Sequence, residues 1–125
     1  MNEDSGHGLE VVLVDDDEGF VETLGALLRS EGYSVVAEPT VSGALDYLAS
    51  HTPDVLITDI RLGEQNGWTL AKHVTRNRPD VRVIIVTGMA DQFEGELEYW
   101  TLPLFLKPFD ADQLLDHLRE PGPTC

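Results

Sequence analysis

Five short, largely apolar runs, Val11–Val14, Ser34–Ala37, Val55–Thr58, Arg82–Thr87 and Leu104–Leu106, alternate with segments whose apolar residues recur at helical spacing. Such alternation is the pattern of a parallel sheet with helices on both faces. Parallel neighbours need a crossover long enough to hold a helix, and strands buried on both sides read as continuous apolar runs. Phe20, Leu24, Leu27 and Leu28 mark a first helix, which Gly32 ends as a residue tolerant of positive φ. Ala44, Leu45 and Leu48 mark a second, started by Thr40 or Ser42, and Leu70, Ala71 and Val74 a third. Leu114, Leu115 and Leu118 mark the last, with Asp110 as its cap and Pro121-Gly-Pro as its stop. A fourth helix is expected around Asp91–Tyr99, where Gly95 interrupts and the apolar positions form no clean stripe. The expected fold is α/β, a doubly wound five-stranded parallel sheet.

A chain of 125 residues is long enough for one self-sufficient core, burying roughly two-thirds of its unfolded surface. Residues 9–120 are expected to form it, with 1–8 as a disordered, acidic lead-in and 121–125 as a C-terminal tail. No apolar run approaches a membrane span, and the N-terminus lacks the basic start and apolar stretch of a secretory signal. The single cysteine, Cys125, has no intramolecular partner, which argues for a reducing compartment, and the expected location is cytoplasmic. The net charge of −15, from 23 acidic residues against 8 Lys and Arg, would repel a phosphate backbone and argues against direct nucleic-acid binding. Either the acids serve solubility or some of them converge on a cation, and their placement decides which.

Doubly wound sheets carry their sites beyond the carboxyl ends of the strands, where strand order reverses. Polar residues stand there: Asp15-Asp16-Asp17 after the first strand, Asp59 after the third, Thr87 after the fourth and Lys107 after the fifth. With strand order 2-1-3-4-5, Asp15, Asp16 and Asp59 lie at adjacent strand ends. Their mutual repulsion calls for a hard divalent cation, and two or three carboxylate oxygens with room for water suit Mg²⁺. Asp17, followed by Glu18, reads instead as a helix cap. Thr87 and Lys107 add a hydroxyl and an ammonium, which are what the oxygens of a transferred phosphoryl group require. Alone, either would read as a β-branched strand residue or a solvated surface lysine.

Val11-Val-Leu-Val-Asp-Asp-Asp17, Asp54-Val-Leu-Ile-Thr-Asp59, Val83-Ile-Ile-Val-Thr-Gly88 and Phe105-Leu-Lys-Pro-Phe109 together resemble the four motifs of response-regulator receiver domains of two-component systems, over residues 10–119. The resemblance implies a flavodoxin-like sheet. It makes Asp59 the phosphoacceptor, with Mg²⁺ held by Asp15, Asp16, Asp59 and the Arg61 backbone carbonyl, Thr87 sensing the phosphoryl group and Lys107 pairing with it. It implies a signalling switch rather than an enzyme, with self-catalysed phosphotransfer and dephosphorylation only. The donor would be a sensor histidine kinase or phosphotransfer protein, and the output a downstream protein partner or effector domain. The sequence leaves the oligomeric state open.

Some positions depart from that pattern. Gly63 stands where the family commonly has Pro, which predicts a more mobile Asp59–Gly67 loop. Leu104 stands where the family often has Tyr or Phe, and Phe105, one position on, should face the other side of the sheet. The stretch from Thr87 to Lys107 is also about two residues shorter than the resemblance leads one to expect. These departures keep a pseudo-receiver, binding partners without phosphorylation, as an alternative. A Mg²⁺-dependent phosphohydrolase with Asp15 as nucleophile and Asp17 as acid-base is a second, although the chain lacks room for a substrate-specifying cap. His7, His51, His73 and His117 show no metal-ligating spacing and are expected in solvent. Trp68 is expected in the core, while Tyr99-Trp100 is either core or a partner-binding patch.

Overall fold

The structure is a computed structural model, and it describes residues 9–59, 61–62, 65–87, 104–106 and 111–119. Outside these lie the lead-in 1–8, the stretch 88–103 with the expected fourth helix and Tyr99-Trp100, the segment 107–110 with Lys107 and Asp110, and the tail from 120. The side chains of Arg61, Trp68, Thr87 and Leu104 also lie outside the description, although their backbones belong to defined elements.

The elements in chain order are β1 (Glu10–Val14), α1 (Glu18–Ser30), β2 (Ser34–Glu38), α2 (Val41–Leu48), β3 (Val55–Asp59), β4 (Arg61–Leu62), β5 (Gln65–Asn66), α3 (Gly67–Asn77), β6 (Arg82–Thr87), β7 (Leu104–Leu106) and α4 (Ala111–Arg119). β2, β1, β3, β6 and β7 form one sheet in that spatial order, all neighbours parallel. All five residues of β3, the central strand, are buried. Alternate residues serve two separate cores. Val12, Val14, Leu56, Val83 and Ile85 pack with Ala44 and Leu48 of α2 and Leu70, Ala71 and Val74 of α3. Val11, Leu13, Val55, Ile57, Ile84 and Val86 pack on the other side with Leu24 and Leu28 of α1 and Leu114, Leu115 and Leu118 of α4. The apolar runs are continuous because each strand must supply both layers.

Local chemistry sets the helix ends. Asp17 caps α1, its Oδ1 accepting the Phe20 N–H at 3.1 Å. At the other end Gly32 takes φ 96°, the Gly32 N–H donates to the Arg29 carbonyl at 3.0 Å and the Tyr33 N–H to that of Leu28 at 3.1 Å. This is a Schellman closure, whose left-handed residue favours glycine. Thr40, rather than Ser42, caps α2, its Oγ1 accepting the Gly43 N–H at 2.9 Å.

Within the stretch from Asp59 to Gly67 a small antiparallel ribbon sets Arg61 opposite Asn66 and Leu62 opposite Gln65, and α3 follows directly; Gly63, on which the expected mobility rests, lies outside the described residues. His51 and His73 are exposed, as expected. The His51 ring stacks on Tyr47, centroids 4.0 Å apart and 4° between planes, and its Nδ1 lies 3.1 Å from the Tyr47 carbonyl. His117 is half-buried.

Tyr47 also ties α2 to the start of the sheet, its hydroxyl donating to Glu10 Oε2. That bond first, then burial and the charges of Glu10 and Glu38, pushes the Tyr47 phenol up to about 12. A raised folded-state value means that the neutral phenol is the form the fold favours. Its contribution is complete below the ordinary tyrosine value of about 10 and is lost as pH rises through about 12. In a spectrophotometric titration, Glu10→Gln should bring one tyrosine down toward about 10. An unchanged curve would show that the bond is not made.

Candidate functional site

β1 and β3 are direct neighbours with Val14 opposite Thr58, so Asp15 and Asp59 follow side by side at the carboxyl end of the sheet. Both are buried, Asp15 at 2% exposure and Asp59 at 7%. Among the described residues the other buried polar residue is Thr58, which precedes Asp59 on β3 and lies opposite Val14. Two neighbouring buried carboxylates repel one another and lose hydration, an arrangement that persists only where cations or donors compensate it. In this order the strands are added outward in one direction from β1 and in the other from β3, so the switch between them places the crevice here.

The backbone fixes these acids closely. The Asp15 N–H donates to the Glu38 carbonyl at the end of β2, at 3.3 Å, and Asp15 Oδ1 accepts the Asp17 N–H at 3.0 Å. Asp15 therefore organises the turn that Asp17 converts into α1, while Asp16 between them is exposed. Thr58 Oγ1 donates to the Asp59 carbonyl at 2.9 Å from within the sheet. The sequence reading missed both supports. Glu38 acts through its main chain, which no side-chain pattern reveals, and Thr58 reads as an ordinary β-branched strand residue.

The remaining expected residues sit at the same edge. β6 pairs with β3 so that Val86 lies opposite Asp59, and Thr87 is the next residue and ends the strand. Thr87 in turn lies opposite Leu106 of β7, and Lys107 follows Leu106 in the chain but lies outside the described residues. Arg61 begins the ribbon two residues after Asp59. The register thus brings Asp15, Asp59 and the Thr87 backbone to three consecutive strand ends, with Asp16 exposed beside them.

Hard oxygen donors fit a small divalent cation. Mg²⁺ is commonly bound through one or two carboxylates while keeping several waters, so buried Asp15 and Asp59 are a suitable pair. Among the described residues no three acidic, histidine or cysteine side chains are close enough to hold a metal by themselves, and a carbonyl and water would have to complete such a site. A cavity of about 420 Å³ lies elsewhere, lined by residues around the ends of α2 and α3, among them Leu48, His51, Asn77 and Arg78. There the Arg78 guanidinium donates to the Leu48 and His51 carbonyls. That arrangement satisfies main-chain acceptors at the end of α2, and it is distinct from the strand-end crevice.

The fold and the carboxylate crevice together define a receiver module. Over residues 11–119 the chain matches the family described as response regulator receiver domain, and it belongs to that family. It is 34% identical over 120 residues to the transcriptional regulatory protein GlrR of Escherichia coli, covering 91% of this chain and 27% of that protein. It is 28% identical over 113 residues to sporulation initiation phosphotransferase F of Bacillus subtilis, covering 89% of this chain and 91% of that protein. The chain thus spans about a quarter of the length of the first relative and nearly all of the second. The non-phosphorylated HemR receiver domain from Leptospira biflexa superposes with a TM-score of 0.78 at 27% identity, over 94% of this chain and 99% of that one. Response regulator TrrA from Thermotoga maritima, in complex with Mg²⁺-BeF, shares the fold with a TM-score of 0.79 at 24% identity, over 89% of this chain and 96% of that one. No helix among the described residues is long and apolar enough to cross a membrane.

Proposed function

We propose that this receiver domain accepts a phosphoryl group on the Asp59 carboxylate, in a Mg²⁺-dependent transfer from the phosphohistidine of a sensor histidine kinase or phosphotransfer protein. The observation that carries this reading is the pair of buried carboxylates, Asp15 and Asp59, at adjacent strand ends of a receiver fold. Asp15 and Asp59 with the Arg61 carbonyl and water would hold Mg²⁺, and the exposed Asp16, which does not form a three-acid cluster with them as they stand, would join by turning toward the pair when the ion binds. The ion would neutralise carboxylate and phosphoryl charge, which otherwise keeps an anionic donor away from an acidic crevice. Asp59 is the nucleophile: one carboxylate oxygen forms the bond to phosphorus as the bond to the donor nitrogen breaks, and the proton that donor needs comes from its own side or from solvent. Thr87 would donate its hydroxyl to a phosphoryl oxygen, and the Lys107 ammonium would pair with another.

The fixed parts favour transfer by position rather than by acid-base chemistry. The Asp15 side chain is held by the Asp17 N–H and the Asp59 main chain by Thr58, so the Asp15 carboxylate and the backbone that carries Asp59 are in place before the reaction. The domain, residues 9–120, is then a phosphorylation-controlled switch in the cytoplasm, and a protein partner or effector domain reads its state. It would turn over no substrate beyond its own phosphorylation and dephosphorylation, and it would neither bind nucleic acid directly nor enter a membrane.

Incubation with acetyl phosphate and Mg²⁺, followed by intact-mass and peptide analysis, tests the reading. The expected product is a single phosphoryl adduct on the peptide containing Asp59, absent when Mg²⁺ is chelated. Steady release of phosphate without a protein adduct would favour the hydrolase reading. Absence of both adduct and release would favour a pseudo-receiver.

A further inference from the structure

β7 runs beside β6 in a register that sets Phe105 opposite Val86 and Leu106 opposite Thr87, so Phe105 is one step from the strand end that carries the site. Its half-buried ring packs into the layer between the sheet and helices α1 and α4. There it meets the His117 ring edge to face, centroids 6.0 Å apart and planes at 69°. His117 belongs to the last turns of α4, and its carbonyl accepts from Arg82 Nη2 at 3.0 Å, while the Leu118 carbonyl accepts from Arg82 Nη1 at 3.3 Å. Arg82 is the first residue of β6, the strand that Thr87 ends. Two of the contacts that hold the end of α4 come from this strand pair, a ring contact beside the site and a guanidinium clamp at the strand start, while Arg119 also pairs with Glu31 at the end of α1 at 2.9 Å.

These contacts differ in what they can transmit. Arg82 holds main-chain carbonyls at a helix end, where a cation is favoured whatever the state of the site. The ring pair is directional, because edge-to-face aromatic contacts depend on the relative orientation of the two planes. A small change in the strand ends that re-aims Phe105 must be answered at His117. Leu104, the preceding residue, carries no ring, so β7 has its one aromatic at the position packed against α4.

We propose that the Phe105–His117 contact couples occupation of the Asp59 site to the last turn of α4, and with it to the direction in which the chain leaves that helix. The inference rests on the reading of Asp59 as phosphoacceptor. It places the output of this receiver on the inner, α4-facing side of β7. Coupling of this kind needs a demonstrated response at both ends of the contact, not mere proximity.

The experiment is an NMR comparison of the whole chain with and without beryllofluoride and Mg²⁺ at one fixed pH. It follows the amides of Val14 and Thr58 and the His117 ring proton, the latter assigned by its loss in His117→Gln. In the parent protein both sets should shift. In Phe105→Leu the Val14 and Thr58 response should remain, which also reports that the variant is folded, while the His117 response should be lost. Phe105→Tyr, which keeps the ring edge, should restore it. A His117 signal that stays fixed while the Val14 and Thr58 amides move would overturn the proposal, as would an undiminished His117 response in Phe105→Leu. If Val14 and Thr58 themselves fail to respond, the phosphoacceptor reading falls, and the coupling falls with it.

Discussion

Asp59→Asn is expected to accept no phosphoryl group from acetyl phosphate under conditions in which the parent protein is fully labelled, a complete loss rather than a slowing. The amide is isosteric with the carboxylate but cannot serve as the nucleophile, and among the described residues no other acid stands at the end of β3. Asp15 is fixed by the Asp17 N–H one strand away, and Asp16 is exposed. The fold should be unharmed and, without metal, somewhat more stable. The substitution removes one of two buried neighbouring negative charges while keeping the volume on which β3 is packed. Mass analysis of the labelled protein and a thermal melt in chelator check the two halves separately. Label on the variant at the parent's rate would move the acceptor elsewhere. A melt well below the parent's would show that the Asp59 carboxylate makes a structural bond the amide cannot.

The strand ends were legible from the sequence because the fold leaves few alternatives for runs such as Val55–Thr58. A stretch without polar alternation must be buried on both faces, and the structure divides Leu56 and Ile57 between the two cores accordingly. The strands expected at Val11–Val14 and Ser34–Ala37 each gain one glutamate, Glu10 and Glu38, because main-chain pairing continues beyond the apolar core. Caps were equally readable where one side chain suffices, as at Asp17 and Thr40, and so was the helix stop at Gly32. Main-chain and tertiary contacts were not legible. The Glu38 carbonyl that receives the Asp15 N–H has no side-chain signature, and the Arg82 clamp on α4 joins residues far apart in sequence.

The ribbon of Arg61–Leu62 and Gln65–Asn66 has no sequence signature, because strands of two residues carry too few positions for an alternating pattern. For the site, composition supplied only a surplus of acid, and the order β2-β1-β3-β6-β7 turned that surplus into a crevice. His117 shows the limit of reading side chains by spacing alone. Its isolation in the sequence says nothing of metals or catalysis, yet the packing of α4 sets it against Phe105.

Asp15→Asn should abolish the response of stability to Mg²⁺ while leaving the starting fold intact. The choice of Asn matters. Asp15 Oδ1 accepts the Asp17 N–H at 3.0 Å, and an amide oxygen can still accept it, whereas Asp15→Ala would orphan that donor at the entry to α1. The Asp15 N–H bond to the Glu38 carbonyl is main-chain and survives either change. What Asn removes is one of the two buried anions that make the crevice attractive to a hard cation. In the parent protein, an ion that binds only the folded state at a hundred times its dissociation constant adds about 2.7 kcal/mol, or about 10 °C in Tm for a domain of this size. In Asp15→Asn the Tm should rise by a small fraction of that over the same Mg²⁺ range. Its metal-free Tm should equal or exceed the parent's, because charge repulsion with Asp59 is relieved. Asp16→Asn, which removes an exposed carboxylate, should weaken the response without abolishing it. A parent protein whose melt ignores millimolar Mg²⁺ would remove the metal from the mechanism. An Asp15→Asn protein that still gains the parent's full shift would place the ion at other ligands.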